Sequence, residues 1–177
     1  MKVIKFGGTA FQTPKLVDNV CKIIKEKPVI VVVSAIGRRG FPFATDTLID
    51  SIRDNHLSDK EYDRLLGLGE IYSSIFLSNS LNRCGINAYA LSYLETGIEC
   101  NDNYFDGKVE LNKEYSYKVS AVNVLAGIVS LSKNENWPWV MSASLPRRKP
   151  ESMTSLTHEF TFHWPSTFSA TLIVPFS

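Results

Sequence analysis

Lys5-Phe6-Gly7-Gly8-Thr9 sets a cation just ahead of two residues without side chains. Glycines accept φ > 0 and let backbone N–H groups approach a bulky anion. A lysine at the same point adds a movable positive charge. Together they could cradle phosphate oxygens and offset charge on a phosphoryl group during transfer. A tight turn beside a solvated lysine fits the same five residues. A second candidate is Glu70, within Gly67-Leu68-Gly69-Glu70-Ile71-Tyr72-Ser73-Ser74. Flanked by apolar residues, it is either a buried carboxylate paired with a protein Lys or Arg, or a lip residue that meets a cation. A substrate ammonium would suit it. Arg38 and Arg39 could attract an anionic substrate or simply be solvated. Thr45 offers a hydroxyl whose plainest use is as a helix N-cap.

The elements that must position these residues are legible nearby. Lys2 to Ile4 reads as a strand, so the lysine–glycine segment sits at a strand end. Thr13 can cap a helix with Pro14 at its first position. Leu16, Val17, Val20, Cys21, Ile23 and Ile24 then form one stripe at helical spacing. Lys25, Lys27 and Pro28 mark its end. Val29 to Val33 is apolar on both faces, as a strand covered on both sides should be. A strand, helix, strand order implies parallel pairing, and ligands then bind beyond the carboxyl ends. Lys5 to Gly8 and Ser34-Ala35 would share that rim. Residues 36–44 read as a mobile surface loop, and Thr45 opens a short helix. Ser58 and Glu61 have capping-box spacing, which starts a long helix over 59–83, stopped by Gly85. Its interior glycines each cost about 1 kcal/mol against alanine, which suggests close packing or ligand access. Residues 86–91 read as a strand and 108–111 as part of a small hairpin. Val119, Val122, Leu125, Ala126 and Val129 suggest another helix.

The composition, with 44% hydrophobic and 21% charged residues, is that of a globular chain with a real core. Nineteen basic against eighteen acidic residues leave a net charge of +1. That implies no bulk attraction to nucleic acid or membrane. Cys21, Cys84 and Cys100 show no metal spacing, no metal site is expected, and they suit a reducing cytoplasm. No signal peptide is read at the N-terminus, and the longest apolar run is too short to span a bilayer. A cytoplasmic location follows as the expectation.

The composition changes after Ser130. No glycine follows Gly127, while Trp137, Trp139 and Trp164 and five of the eight prolines lie beyond position 136. Neither helical nor strand period persists there. Pro146 and Pro150 flank Arg147-Arg148-Lys149 and argue against a helix. His158 and His163 form no metal motif. Two segments are therefore expected: 1–130, and an atypical tail, 131–177, that is disordered, frame-shifted or a degenerate remnant.

With those motifs in view, the first ~110 residues resemble the aspartate kinases of the amino acid kinase superfamily. Lys5-Phe6-Gly7-Gly8-Thr9 resembles the family's opening KFGGTS. Residues 31–37 resemble its VVVSAMG segment, residues 44–48 its TD-L helix start, and Gly69-Glu70 with Ser73-Ser74 its GE-x-x-S helix. Residues 37–48 are especially similar to isoenzymes of the lysine and diaminopimelate pathways. The resemblance implies an α/β three-layer sandwich with a mostly parallel central sheet, truncated or degenerate after about residue 130. It implies phosphoryl transfer from ATP, with Mg²⁺, to the side-chain carboxylate of L-aspartate. Carried over, Lys5 would stabilise the transferring phosphoryl group. Phe6, Gly7 and Gly8 would form the phosphate segment. Ser34 and Thr45 would contact substrate or order its loop, and Glu70 would receive the aspartate ammonium. A homodimer is the assembly the resemblance suggests. The family's second half, with its Gly-Arg-Gly-Gly-Ser-Asp segment and regulatory modules, is not recognisable here. A non-catalytic homologue that binds aspartate or pairs with a full-length subunit therefore stands as an alternative. So does another amino acid kinase with a different acceptor.

Overall fold

The computed structural model describes residues 2–24, 29–52, 56–101, 109–111, 121–127, 129–132 and 138–140. The opening unit is strand β1 (Lys2–Phe6), a 3-10 turn (Gly8–Phe11), helix α1 (Pro14–Ile23) and strand β2 (Val29–Val33). Thr13 caps α1 by accepting a hydrogen bond from the Leu16 N–H, and Pro14 takes the first position, as expected. Helix α2 (Thr45–Ser51) and the long helix α3 (Asp59–Arg83) follow. Ser58 and Glu61 close a full capping box at the start of α3. Strands β3 (Ala88–Ala90), β4 (Ile98–Cys100), β5 (Val109–Leu111), β6 (Val122–Ala126), β7 (Val129–Ser132) and β8 (Pro138–Val140) complete the described chain.

Four strands form a parallel sheet in the order β1-β2-β6-β3. A second sheet, β5-β4-β7-β8, contains the expected hairpin strand β5, antiparallel to β4. The architecture is α/β with a mostly parallel sheet, as the sequence implies. Among the described residues the helix suggested by Val119, Val122, Leu125, Ala126 and Val129 is not formed: 122–126 is strand β6, and β7 begins at Val129. The apolar residues at 119, 122, 125, 126 and 129 imitate helical spacing. The actual signal is the short run Val122-Asn123-Val124-Leu125, every residue of it buried, as in a central strand.

The core lies on one face of the parallel sheet. Ile4, Phe6, Val31, Val33, Val122 and Val124 meet Val17, Val20 and Ile24 of the α1 segment and Leu77 and Leu81 of α3. Leu77 and Leu81 are completely buried, worth about 2 kcal/mol of apolar transfer each. The opposite face gathers Ile30, Leu125 and Leu91 with Val3, Val32 and Ile98. β2 thus packs on both faces, which explains its unbroken apolar run. Among the described residues no helix is long and apolar enough to cross a membrane. The expected tail features, Arg147 to Lys149 and the histidines at 158 and 163, lie outside the described residues, as do Lys25, Lys27 and Pro28.

Candidate active site at the carboxyl end of the parallel sheet

The parallel strands deliver three loops to one rim. β1 runs into Gly7-Gly8, β2 into Ser34 to Gly37, and β6 into Gly127. Backbone bonds lace these exits together. The Ser34 N–H donates to the Phe6 carbonyl at 3.1 Å, the Gly37 N–H to the Gly8 carbonyl at 2.9 Å, and the Gly127 N–H to the Val33 carbonyl at 2.9 Å. Contact this close depends on missing side chains. A Cβ on Gly8 would stand 1.8 Å from the Ala35 carbonyl oxygen. Gly7 is the opposite case, because nothing lies within 4 Å of where its Cβ would be. The rim is therefore tight at Gly8 and open at Gly7, where a phosphate oxygen would have room.

Lys5 and Glu70 reach this rim from different elements. Lys5 alternates with the buried Ile4 and Phe6 along β1, so it is directed to the opposite face, and it is half-buried. Its register partner is Val32. Glu70 comes from α3 and is only 6% exposed. Its Oε2 lies 3.1 Å from the position a Gly127 Cβ would take, and Val32 Cγ1 lies 3.3 Å from the same point. Both atoms thus lie close to Gly127, and the lysine and glutamate belong to one end of one sheet. A carboxylate withdrawn this far from water needs a cation or hydrogen-bond donors.

The other expected residues gather around α3. A Cβ on Gly69 would sit 2.3 Å from the Phe43 carbonyl oxygen and 2.9 Å from Ala35 Cβ. The glycine beside Glu70 thus lets the loop before α2 lie directly on α3, as the cost of a mid-helix glycine suggests. Phe43 also stacks on Tyr72, ring centroids 4.4 Å apart. Thr45, two residues further on, is half-buried at the first turn of α2. It is not the N-cap: Ala44 holds that position, without a side-chain cap. The helix starts one residue earlier than the residue types suggest, since Thr is a preferred cap type and Ala is not. Thr47 uses its hydroxyl elsewhere and accepts from the Gly40 N–H at 2.9 Å. Ser34 is half-buried beyond β2. In the loop between, Arg39 forms an ion pair with Asp50 of α2, while Arg38 is exposed.

Two further residues shape the site with little local signal in the sequence, Ser73 and Gly127. Ser73 is fully buried, donates to the Gly69 carbonyl at 2.7 Å and accepts from the Ile36 N–H at 2.8 Å. It bolts the loop after β2 to the helix that carries Glu70. Its signal was the serine three residues after Glu70. Gly127, which closes over Glu70, carried the weaker signal of being the last glycine in the chain.

A three-loop rim at the carboxyl ends of parallel strands, with a lysine–diglycine segment and a buried glutamate, places the candidate site where open α/β sheets bind their ligands. Residues 1–142 match the profile described as the amino acid kinase family, and the chain belongs to that family. Among proteins it resembles, Aspartokinase 1 of Bacillus subtilis is 36% identical over 131 residues, covering 68% of this chain and 32% of that protein. Aspartokinase of Geobacillus stearothermophilus is 32% identical over 114 residues, covering 60% of this chain and 27% of that protein. The chain thus spans about a third of the length of the relatives it matches. Synechocystis aspartate kinase shares the fold with a TM-score of 0.59 and 27% identity, over 71% of this chain and 21% of that one. E. coli aspartokinase III, solved with aspartate and ADP, gives a TM-score of 0.60 at 15% identity, over 80% of this chain and 43% of that one, a likeness of fold alone.

Proposed function

We propose that residues 1–130 form the acceptor-binding lobe of an aspartate kinase. The reaction would pass the γ-phosphoryl group of ATP to the side-chain carboxylate of L-aspartate, giving 4-aspartyl phosphate. The observation behind this reading is that the β1 lysine–diglycine exit and the Glu70 carboxylate lie at the same end of the parallel sheet. Likeness to aspartokinases at 30–36% identity supports it.

The roles follow from local chemistry. Glu70 would receive the aspartate ammonium, a cation suited to a buried carboxylate. Lys5 would offset charge on the transferring phosphoryl group, and the Phe6-Gly7-Gly8 backbone would hold its oxygens. Ser34 and Thr45 would orient the acceptor from the loops Ser73 and Phe43 anchor. The attacking carboxylate is already ionised, so no strong general base is required, and positioning dominates. Among the described residues no cluster of three His, Cys, Asp or Glu side chains could hold a metal ion. ATP would be used as its Mg²⁺ complex, in which the metal supplies charge neutralisation on the phosphates.

A second reading is binding without turnover, favoured by the chain spanning 32% of the Bacillus relative. ADP release, measured with a coupled assay in the presence of ATP, Mg²⁺ and L-aspartate, tests the first. Turnover that falls at least about a thousandfold in Lys5→Ala supports catalysis. Aspartate binding with no ADP release supports the second. Turnover on another carboxylate in a substrate panel, but not on aspartate, would overturn the assigned acceptor.

A further inference from the structure

The amino end of the parallel sheet, far from Lys5 and Glu70, carries a side-chain pair with chemistry of its own. Cys21 stands on the last turns of α1, and Cys84 caps the carboxyl end of α3. Their sulfurs are 2.7 Å apart, and both are thiols. The backbone around Cys84 is fixed. Gly85 adopts φ +77°. The Gly85 N–H donates to the Asn82 carbonyl and the Ile86 N–H to the Leu81 carbonyl, each at 3.0 Å. That is a Schellman close. Ile86 and Cys21 both pack against the main core. Cross-linking would therefore ask for little backbone movement. An open hollow of about 580 Å³ adjoins the pair, bordered by Asp18, Lys22 and Ile86.

We propose that Cys21 and Cys84 are a modification site, a dithiol that reacts with a small disulfide to become an intramolecular cross-link between α1 and α3. Cys84 is exposed and Cys21 half-buried. Burial first, and then the adjoining Cys84 sulfur, push the Cys21 thiol up to about 12. Cys84 is therefore the attacking group and Cys21 the resolving one. The Cys84 thiolate attacks one sulfur of the small disulfide, whose S–S bond breaks. One thiol leaves, taking up the proton Cys84 gave to solvent. Cys21 then attacks the Cys84 sulfur of the mixed disulfide, and the second thiol leaves with the proton from Cys21. Two protein thiols are oxidised, and one small disulfide is reduced to two thiols. Lys22 and Asp18 at the hollow suit a reagent bearing both carboxylate and ammonium groups, such as the disulfide of a short peptide. Cys100, 1% exposed in β4, is spared.

The test treats the full 177-residue chain with oxidised glutathione, quenches with acid, alkylates, and maps peptides by mass spectrometry. The expected product has lost two hydrogens, links Cys21 to Cys84, and leaves Cys100 free to be alkylated after unfolding. Its melting temperature rises by about 10 °C, and dithiothreitol reverses the rise. Cys21→Ser should stop at a glutathione adduct on Cys84, and Cys100→Ser should cross-link like the parent. Unmodified thiols in the folded parent, a persistent glutathione adduct on it, or linkage only between chains would each overturn the proposal.

Discussion

The two ends of the parallel sheet use glycine for opposite reasons. At the carboxyl end, glycines let backbone touch backbone: Gly8 against Ala35, Gly69 against Phe43, Gly127 against Val33 and Glu70. At the amino end, Gly85 has nothing within 4 Å of a Cβ position, and its φ of +77° is the whole need. The first arrangement excludes side chains to bring loops and a carboxylate into one place. The second closes a helix. A site built from missing side chains should fail sterically when one is restored, whereas a helix close should only be strained.

That contrast can be broken by measurement. The largest effect is expected for Gly8→Ala, where the added methyl meets a main-chain carbonyl at 1.8 Å. A loss of at least about 3 kcal/mol in urea denaturation is expected. Ser73→Ala should cost about 2 kcal/mol, because it strands the buried Ile36 N–H. It should also weaken ligand binding at the rim by loosening the loop after β2. Gly85→Ala should cost about 1 kcal/mol, a left-handed strain with no clash. If Gly85→Ala proved as damaging as Gly8→Ala, the distinction between the two ends would be lost.

The smallest effect belongs to the α3 capping box. Hydrogen bonds from the Ser58 side chain and backbone hold the Glu61 carboxyl below its ordinary 4.5. A depressed carboxyl contributes stability that is present above the unfolded value and lost as pH falls through the folded one. Ser58→Ala should lower the melting temperature at pH 7 by a few degrees and flatten its decline below about pH 4.5. An unchanged acid limb in that variant would show that the box does not hold the carboxyl.

Local chemistry made much of this legible in the sequence. Thr13-Pro14, Ser58 with Glu61, and Gly85 set the starts of α1 and α3 and the close of α3, because caps act within a turn of the residue that carries them. Lys5, Gly7, Gly8 and Glu70 stood out because of their neighbours in the chain. What escaped depends on distant partners. β6 resembles a helix in the sequence because a strand buried on both faces has no alternation to betray it. Ser73 reaching Ile36, and Gly127 closing over Glu70, join segments that no local pattern connects.

Calorimetric titration of L-aspartate into the parent chain and into Glu70→Gln is the most direct test of the carboxyl-end site. The account predicts saturable binding by the parent and at least about tenfold weaker binding by the variant, which keeps the shape and loses the charge. Equal affinity in the two proteins, or no binding by the folded parent, would contradict it.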